Sequence, residues 1–128
     1  MAILLIVDDM EQYVDSIERA LYKHTIIKAH SLTEAQAVCT PLVELALVDV
    51  RLNENDIANR DGILLLDWLK QKFPQIPVVI MSGYSDHDAA VNALNLGAVK
   101  YLQKPISLDD LYKVVDEHTG NPSEGKTP

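Results

Sequence analysis

Residues 99–105 read V-K-Y-L-Q-K-P. A short strand-like run through Val99, Tyr101 and Leu102 ends here on a cation, Lys104, joined to Pro105. Proline has no N–H to give a sheet ladder, so the strand stops at this point. The lysine lies far in sequence from the acidic clusters, and its meaning depends on what the fold sets beside it. The same kind of run recurs upstream. Ile-, Val- and Leu-rich segments at 3–7, 25–29, 45–50, 78–81 and 98–102 alternate with longer stretches whose apolar residues return every three or four positions. Strands apolar on both faces and linked by helices imply a parallel sheet covered on both sides through right-handed crossovers. The expected architecture is a doubly wound α/β domain with five strands.

Local signals mark the helices. Ser31 with Glu34 forms a capping box, and Gly97 closes a helix that begins near Asp86. Ser107, followed by Asp109 and Asp110, opens the last helix, where acids suit the positive end of the dipole. Trp68 and Phe73 fall on the apolar stripe of the third helix with Leu65 and Leu69 and read as packing. The closing T-G-N-P-S-E-G-K-T-P, residues 119–128, lacks periodicity and reads as a flexible tail or the start of a linker after a domain at 1–118.

Composition narrows the function classes. The chain has 128 residues, 48% hydrophobic and 23% charged, enough for one core and too few for two domains. No apolar run approaches the ~20 residues of a membrane span, and M-A-I-L-L-I-V has no basic flank, so a cytoplasmic protein is expected. The net charge of −8 disfavours direct nucleic-acid binding. Cys39, the single cysteine, reads as a small core residue. His24, His30, His87 and His118 show no metal-ligand spacing and read as surface or loop residues.

The strand ends carry the chemistry. Strand one ends in Asp8-Asp9, strand three in Asp49, strand four in Ser82-Gly83 and strand five in Gln103-Lys104-Pro105. Open parallel sheets bind ligands outside those carboxyl ends, so these groups converge. Three carboxylates suit a hard divalent cation such as Mg²⁺, which also relieves their mutual repulsion. A hydroxyl and a lysine beside them describe a pocket for a doubly charged oxyanion, the arrangement phosphoryl transfer requires. Singly, each feature has a plainer reading: Asp8-Asp9 as an N-cap pair, Ser82-Gly83 as a turn, Lys104 as a surface lysine. Their joint occurrence favours the pocket.

The set I-V-D-D (6–9), L-V-D-V (47–50), M-S-G-Y-S (81–85) and G-A-V-K-Y-L-Q-K-P (97–105) closely resembles the receiver domain of two-component response regulators, over roughly residues 1–118. The resemblance implies a flavodoxin-like fold, similar to the chemotaxis regulators, with strand order 2-1-3-4-5. It implies that Asp49 is the phosphoacceptor for a histidine kinase or histidine phosphotransfer protein. Asp8, Asp9, Asp49 and the backbone carbonyl of Arg51 would hold Mg²⁺. Ser82 and Lys104 would bind phosphoryl oxygens, the Lys104-Pro105 peptide would be cis, and Tyr101 would be the switch aromatic that turns inward as Ser82 moves. The readout would be the face of helix four, strand five and helix five, residues 86–118, toward a downstream protein or output domain. Met10 and Tyr13 on the first helix are candidates to touch the kinase. A monomer or a weak phosphorylation-dependent dimer is expected, with no direct nucleic-acid partner.

Two departures from the family pattern stand out. The stretch V-R-L-N-E-N-D-I-A-N-R between Asp49 and Asp61-Gly62 is longer and more polar than usual. Arg51 and Tyr84 occupy positions that shape the phosphate's lifetime in the family, and a bulky Tyr84 would shield it from water, so decay should quicken in Tyr84→Ala. Other classes fit less well. An aspartyl phosphatase would have Asp-x-Asp and a cap domain. A flavin or nucleotide binder would have a Gly/Ser/Thr-rich loop where this chain has D-D-M-E-Q-Y, and a receiver-like module that no longer takes phosphate would have lost Asp9, Asp49 or Lys104.

Overall fold

Strands β1 (Ile3–Val7), β2 (Thr25–Ala29), β3 (Leu45–Asp49), β4 (Val78–Ser82) and β5 (Lys100–Gln103) form one parallel sheet in the order β2-β1-β3-β4-β5. The computed structural model describes residues 1–53 and 55–120, with Tyr84 described by its backbone alone. Residues 121–128 of the stretch read as tail, and the Tyr84 side chain read as a phosphate shield, lie outside the described residues. Helices α1 (Glu11–Ala20), α2 (Leu32–Val38), α3 (Asp61–Lys72), α4 (His87–Asn95) and α5 (Leu108–Thr119) connect and cover the strands.

Side chains alternate along each strand, so the central strands bury apolar groups on both faces. Leu5, Val7, Val48 and Ile80 pack with Leu65, Leu66 and Leu69 of α3 and Ala90 and Ala93 of α4. Leu4, Ile6, Leu47, Val79 and Met81 pack on the opposite face with Val14 and Ile17 of α1 and Leu111, Val114 and Val115 of α5. Full burial of one such leucine or isoleucine contributes about 1.5–3 kcal/mol, which is why the helices sit where their stripes fall. Trp68 and Phe73 are half-buried against the first cluster, in edge-to-face contact at 5.7 Å. Phe73 lies just past the end of α3.

The helix ends follow the local signals, with one variation. Ser31 caps α2 by accepting the Glu34 N–H at 3.1 Å, but the Glu34 carboxylate reaches back to the N–H of His30 rather than that of Ser31. Ser107 accepts the Asp110 N–H at 3.1 Å and caps α5. Strand five begins two residues later than expected. Gly97 ends α4 with φ +109°, and the Ala98 N–H turns back to the Ala93 carbonyl at 3.0 Å. That helix-terminating bond uses the Ala98 N–H, so pairing starts with Val99 N–H on the Val78 carbonyl. Strand three stops at Asp49 rather than Val50, and strand four runs through Ser82.

One histidine of the loops is not at the surface: His24 lies in the turn between α1 and β2. His24 is buried, and its Nδ1 accepts the Ala2 N–H at 3.1 Å, because Ile3 pairs with Thr25 and the residues just before β1 and β2 come side by side. Among the described residues no helix is long and apolar enough to cross a membrane.

Candidate functional site

The carboxyl ends of β1 and β3 set Asp8, Asp9 and Asp49 together, with one oxygen from each within 4.8 Å of the others. Parallel pairing of the two strands accounts for this: Val7 stands opposite Val48, and the chain leaves both strands at the same edge. Asp8 and Asp49 are buried, and Asp9 is half-buried. The acids do not cap α1, whose N-cap is Met10 with no side-chain cap. Asp8 Oδ1 instead accepts the Met10 N–H at 2.9 Å, which fixes that carboxylate against the turn.

The lysine of the opening stretch arrives from the far strand. Ser82 pairs with Gln103 in the β4–β5 ladder, and the Lys104 N–H donates to the Ser82 carbonyl at 2.8 Å. The Lys104-Pro105 peptide is cis. Lys104 Nζ donates to Asp8 Oδ2 at 2.6 Å and to Asp49 Oδ2 at 3.2 Å, and it lies 4.4 Å from the centre of the Tyr13 ring. The cation therefore sits between two carboxylates and an aromatic face. Ser82 stands at the end of β4, at the same edge of the sheet. Its hydroxyl is fully buried and has no hydrogen-bond partner among the described residues.

The charge states reflect this crowding. Burial raises the Asp8 carboxyl above its usual range even though Lys104 and the Met10 N–H pull it down, and the neighbouring Asp9 charge adds to the rise. Burial pulls Lys104 down, but the attraction of Asp49 and Asp8 outweighs it and holds the ammonium above its usual value. Burial also raises the Tyr13 phenol, against the pull of Lys104. Three carboxylates grouped beside a lysine that bridges two of them make a donor set of oxygens that suits a hard divalent cation.

The remaining residues singled out in the sequence fall around this centre. Met10 is 46% exposed at the start of α1, and Tyr13 is half-buried one turn on. Tyr101 is half-buried, with its ring edge-to-face on His87 at 5.5 Å and its hydroxyl 3.2 Å from His87 Nδ1. Arg51 turns its side chain toward Asp86, with Nε donating at 3.2 Å. Asp86 was missed as a site residue: an acid just before a helical pattern reads as a helix start, and no local signal pairs it with an arginine 35 residues away. The polar loop after Arg51 is stitched closed by Asn59, whose Oδ1 accepts the N–H groups of Leu52 at 2.9 Å and Asp61 at 3.0 Å. Gly62 is forced by the site: a Cβ there would lie 1.8 Å from the Asp49 carbonyl oxygen. Cys39 is half-buried against the core, and burial raises its thiol, the opposite of an activated cysteine.

The profile of the response regulator receiver domain family matches residues 4–116. The chain belongs to this family. It is similar to the DNA-binding transcriptional regulator NtrC of Escherichia coli strain K12, 34% identical over 131 residues, across 98% of this chain and 26% of that protein. It is also similar to a putative NtrX-like response regulator of Rickettsia typhi, 32% identical across 84% of this chain and 23% of that protein. This receiver domain thus spans about a quarter of the length of those relatives. Among solved structures, the receiver domain of NtrX from Brucella abortus superposes with a TM-score of 0.81 at 30% identity, covering 92% of this chain and 98% of that one. A response regulator receiver domain protein from Clostridium thermocellum gives 0.83 at 25% identity, covering 94% and 95%.

Proposed function

We propose that this receiver domain takes a phosphoryl group onto Asp49 from the phosphohistidine of a histidine kinase or histidine phosphotransfer protein, in a Mg²⁺-dependent reaction. The observation that carries the reading is the meeting of Asp8, Asp9 and Asp49 with Lys104 and the buried Ser82 hydroxyl at one sheet edge. Asp8, Asp9, Asp49 and the Arg51 carbonyl would hold the ion, which when bound neutralises charge on the carboxylates and the phosphoryl oxygens. An Asp49 carboxylate oxygen bonds to phosphorus as the phosphorus–nitrogen bond breaks, and the electron pair returns to the imidazole. Lys104 is held beside Asp49 to balance the oxygens of the transferred group, and the Ser82 hydroxyl is free to donate to one of them. The chain acts as a signalling phosphoacceptor and catalyses only its own phosphorylation and dephosphorylation.

The switch follows from charge. A phosphoryl group adds about −1.5 to −2 charge and so favours the conformer that brings Ser82 and Lys104 to it. Tyr101 then leaves His87 and turns inward as the Ser82 segment moves. The readout is the α4–β5–α5 face, where Val91, Leu94, Leu96 and Val99 are exposed apolar residues on the α4 and β5 side. A downstream protein or an output domain reads that face, with residues 1–118 as the receiver unit and the following residues as tail or linker. Met10 and Tyr13 meet the kinase at the mouth of the site, beside a groove lined by Gln12, Ser16, Lys104 and Pro105. The domain works in the cytoplasm as a monomer or as a weak dimer when phosphorylated.

The test is intact-mass analysis after incubation with Mg²⁺ and acetyl phosphate, wild type against Asp49→Asn. One acid-stable, base-labile phosphate on wild type alone is the expected result. An adduct that survives Asp49→Asn, or steady turnover of a phosphoester, sinks the reading and favours a phosphatase.

A further inference from the structure

Asp86 is a buried acid that this phosphotransfer does not use. Its side chain is 3% exposed, and Arg51 lies against it with both Nε and Nη2 at 3.2 Å from Oδ2. Arg51 Nη2 also donates to Ser85 Oγ at 3.1 Å. Arg60, the last residue of the long loop, places Nη1 3.6 Å from Asp86 Oδ1. The Asp86 N–H donates to the Gly83 carbonyl at 3.1 Å, so the acid is tied to the residue directly after Ser82. A buried carboxylate that loses its partners is strongly destabilised, so segments joined through one resist separation.

The same network fixes the backbone around Arg51. On one side Val50 is held by its N–H on the Met81 carbonyl and its carbonyl on the Gly62 N–H, both at 2.9 Å. On the other side Leu52 is held by Asn59, and Arg60 is braced by the Ile57 and Asn59 carbonyls at 3.0 and 2.8 Å. The Arg51 side chain, with Arg60 beside it, links this loop to the segment after Ser82.

We infer that Asp86 is a positioning residue: through Arg51 and Arg60 it clamps the acceptor loop and the long loop 52–60 to the segment carrying Ser82, and so presets the Arg51 carbonyl for Mg²⁺. The inference rests on the receiver reading above. It gives the added loop a task, which is to carry a second guanidinium to the buried acid. It also makes the coupling reciprocal: an ion held at the Arg51 carbonyl biases the Ser82 segment, and movement of that segment changes the grip on the ion.

The experiment is calorimetric titration of the 128-residue chain with Mg²⁺ alone, for wild type, Asp86→Asn, Arg51→Gln, Arg60→Gln and the Asp86→Asn/Arg51→Gln double variant, each checked for a cooperative thermal transition. The expected result is an affinity about threefold to tenfold weaker in Asp86→Asn and Arg51→Gln, no further loss in the double variant, and about a twofold loss in Arg60→Gln. Unchanged Mg²⁺ affinity in a folded Asp86→Asn overturns the clamp and leaves the receiver reading intact. Should Asp86→Asn fail to fold, Arg60→Gln decides, since its side chain is 40% exposed and its loss spares the core. Additive losses in the double variant also overturn the clamp. Absence of Mg²⁺ binding in wild type overturns the receiver reading itself.

Discussion

At the amino edge of the sheet His24 is 7% exposed, and its ring accepts the Ala2 N–H, while Glu44 accepts the N–H of Ile3 at 3.0 Å. At the carboxyl edge Asp8 is fully buried beside two further carboxylates, with one lysine bridging two of the three. Both edges bury titratable groups. Burial disfavours the charged form of the histidine at the amino edge, whereas the carboxyl edge crowds three carboxylates around one lysine. The first arrangement closes the fold, and the second stores unfavourable electrostatics of the kind a divalent cation relieves.

The largest expected effect breaks the carboxyl edge by sterics rather than charge. Gly62→Ala puts a methyl group 1.8 Å from the Asp49 carbonyl oxygen and 2.8 Å from that of Val50, so the start of α3 must leave the end of β3. Urea unfolding should show a loss of about 3 kcal/mol or more, along with loss of phosphorylation. Gly83→Ala, on the same edge, meets nothing within 4 Å and should stay within about 0.5 kcal/mol of wild type. Equal costs for the two glycines would show that the edge is not tightly packed at Asp49.

A smaller effect comes from removing the stored charge. Burial raises the folded-state value of Asp8 above 3.8, so its contribution to stability is present below that pH and is lost as pH rises through the folded value. At neutral pH the carboxylate therefore costs stability. Asp8→Asn should raise the urea midpoint at pH 7 without metal, by about 1 kcal/mol, and weaken Mg²⁺ binding by about tenfold or more. A destabilised Asp8→Asn would mean that the Lys104 bridge outweighs burial and that the two edges are alike.

The smallest effect sharpens the amino edge. Burial, with help from the N-terminal ammonium, lowers the His24 value below 6.5, against the pull of Asp116 and Glu44. Its contribution is present above 6.5 and is lost as pH falls through the folded value. The stability difference between wild type and His24→Asn should narrow on acidification from pH 7.5 to 5.5 by under about 1 kcal/mol, measured by urea unfolding. A difference that holds constant over this range would place the histidine outside the acid response.

The fold was legible because its signals are local. Apolar runs such as 3–7 and 78–81 and the helical spacing between them state which faces must be buried, and strands joined by helices leave few topologies. The acids, the serine and the lysine were legible as a set because each stands at a strand end, and a parallel sheet brings those ends to one edge. Strand five was displaced by two residues because the bond from Ala98 back to Ala93 belongs to the end of α4, and the apolar pattern does not register that bond. His24 lies in a loop as expected, but its burial was not legible, because one histidine before a strand carries no sign of what the neighbouring strand will place over it.

The sequence by itself thus determined the parallel sheet and the group of side chains at its carboxyl edge, since hydrophobic periodicity and strand termini are properties of neighbouring residues. Only the tertiary structure decided that Lys104 rests on Tyr13 as well as on Asp8 and Asp49, and that Arg51 and Arg60 turn to Asp86. Those contacts depend on how separate loops approach in space and on the rotamers that packing permits, which spacing along the chain does not encode.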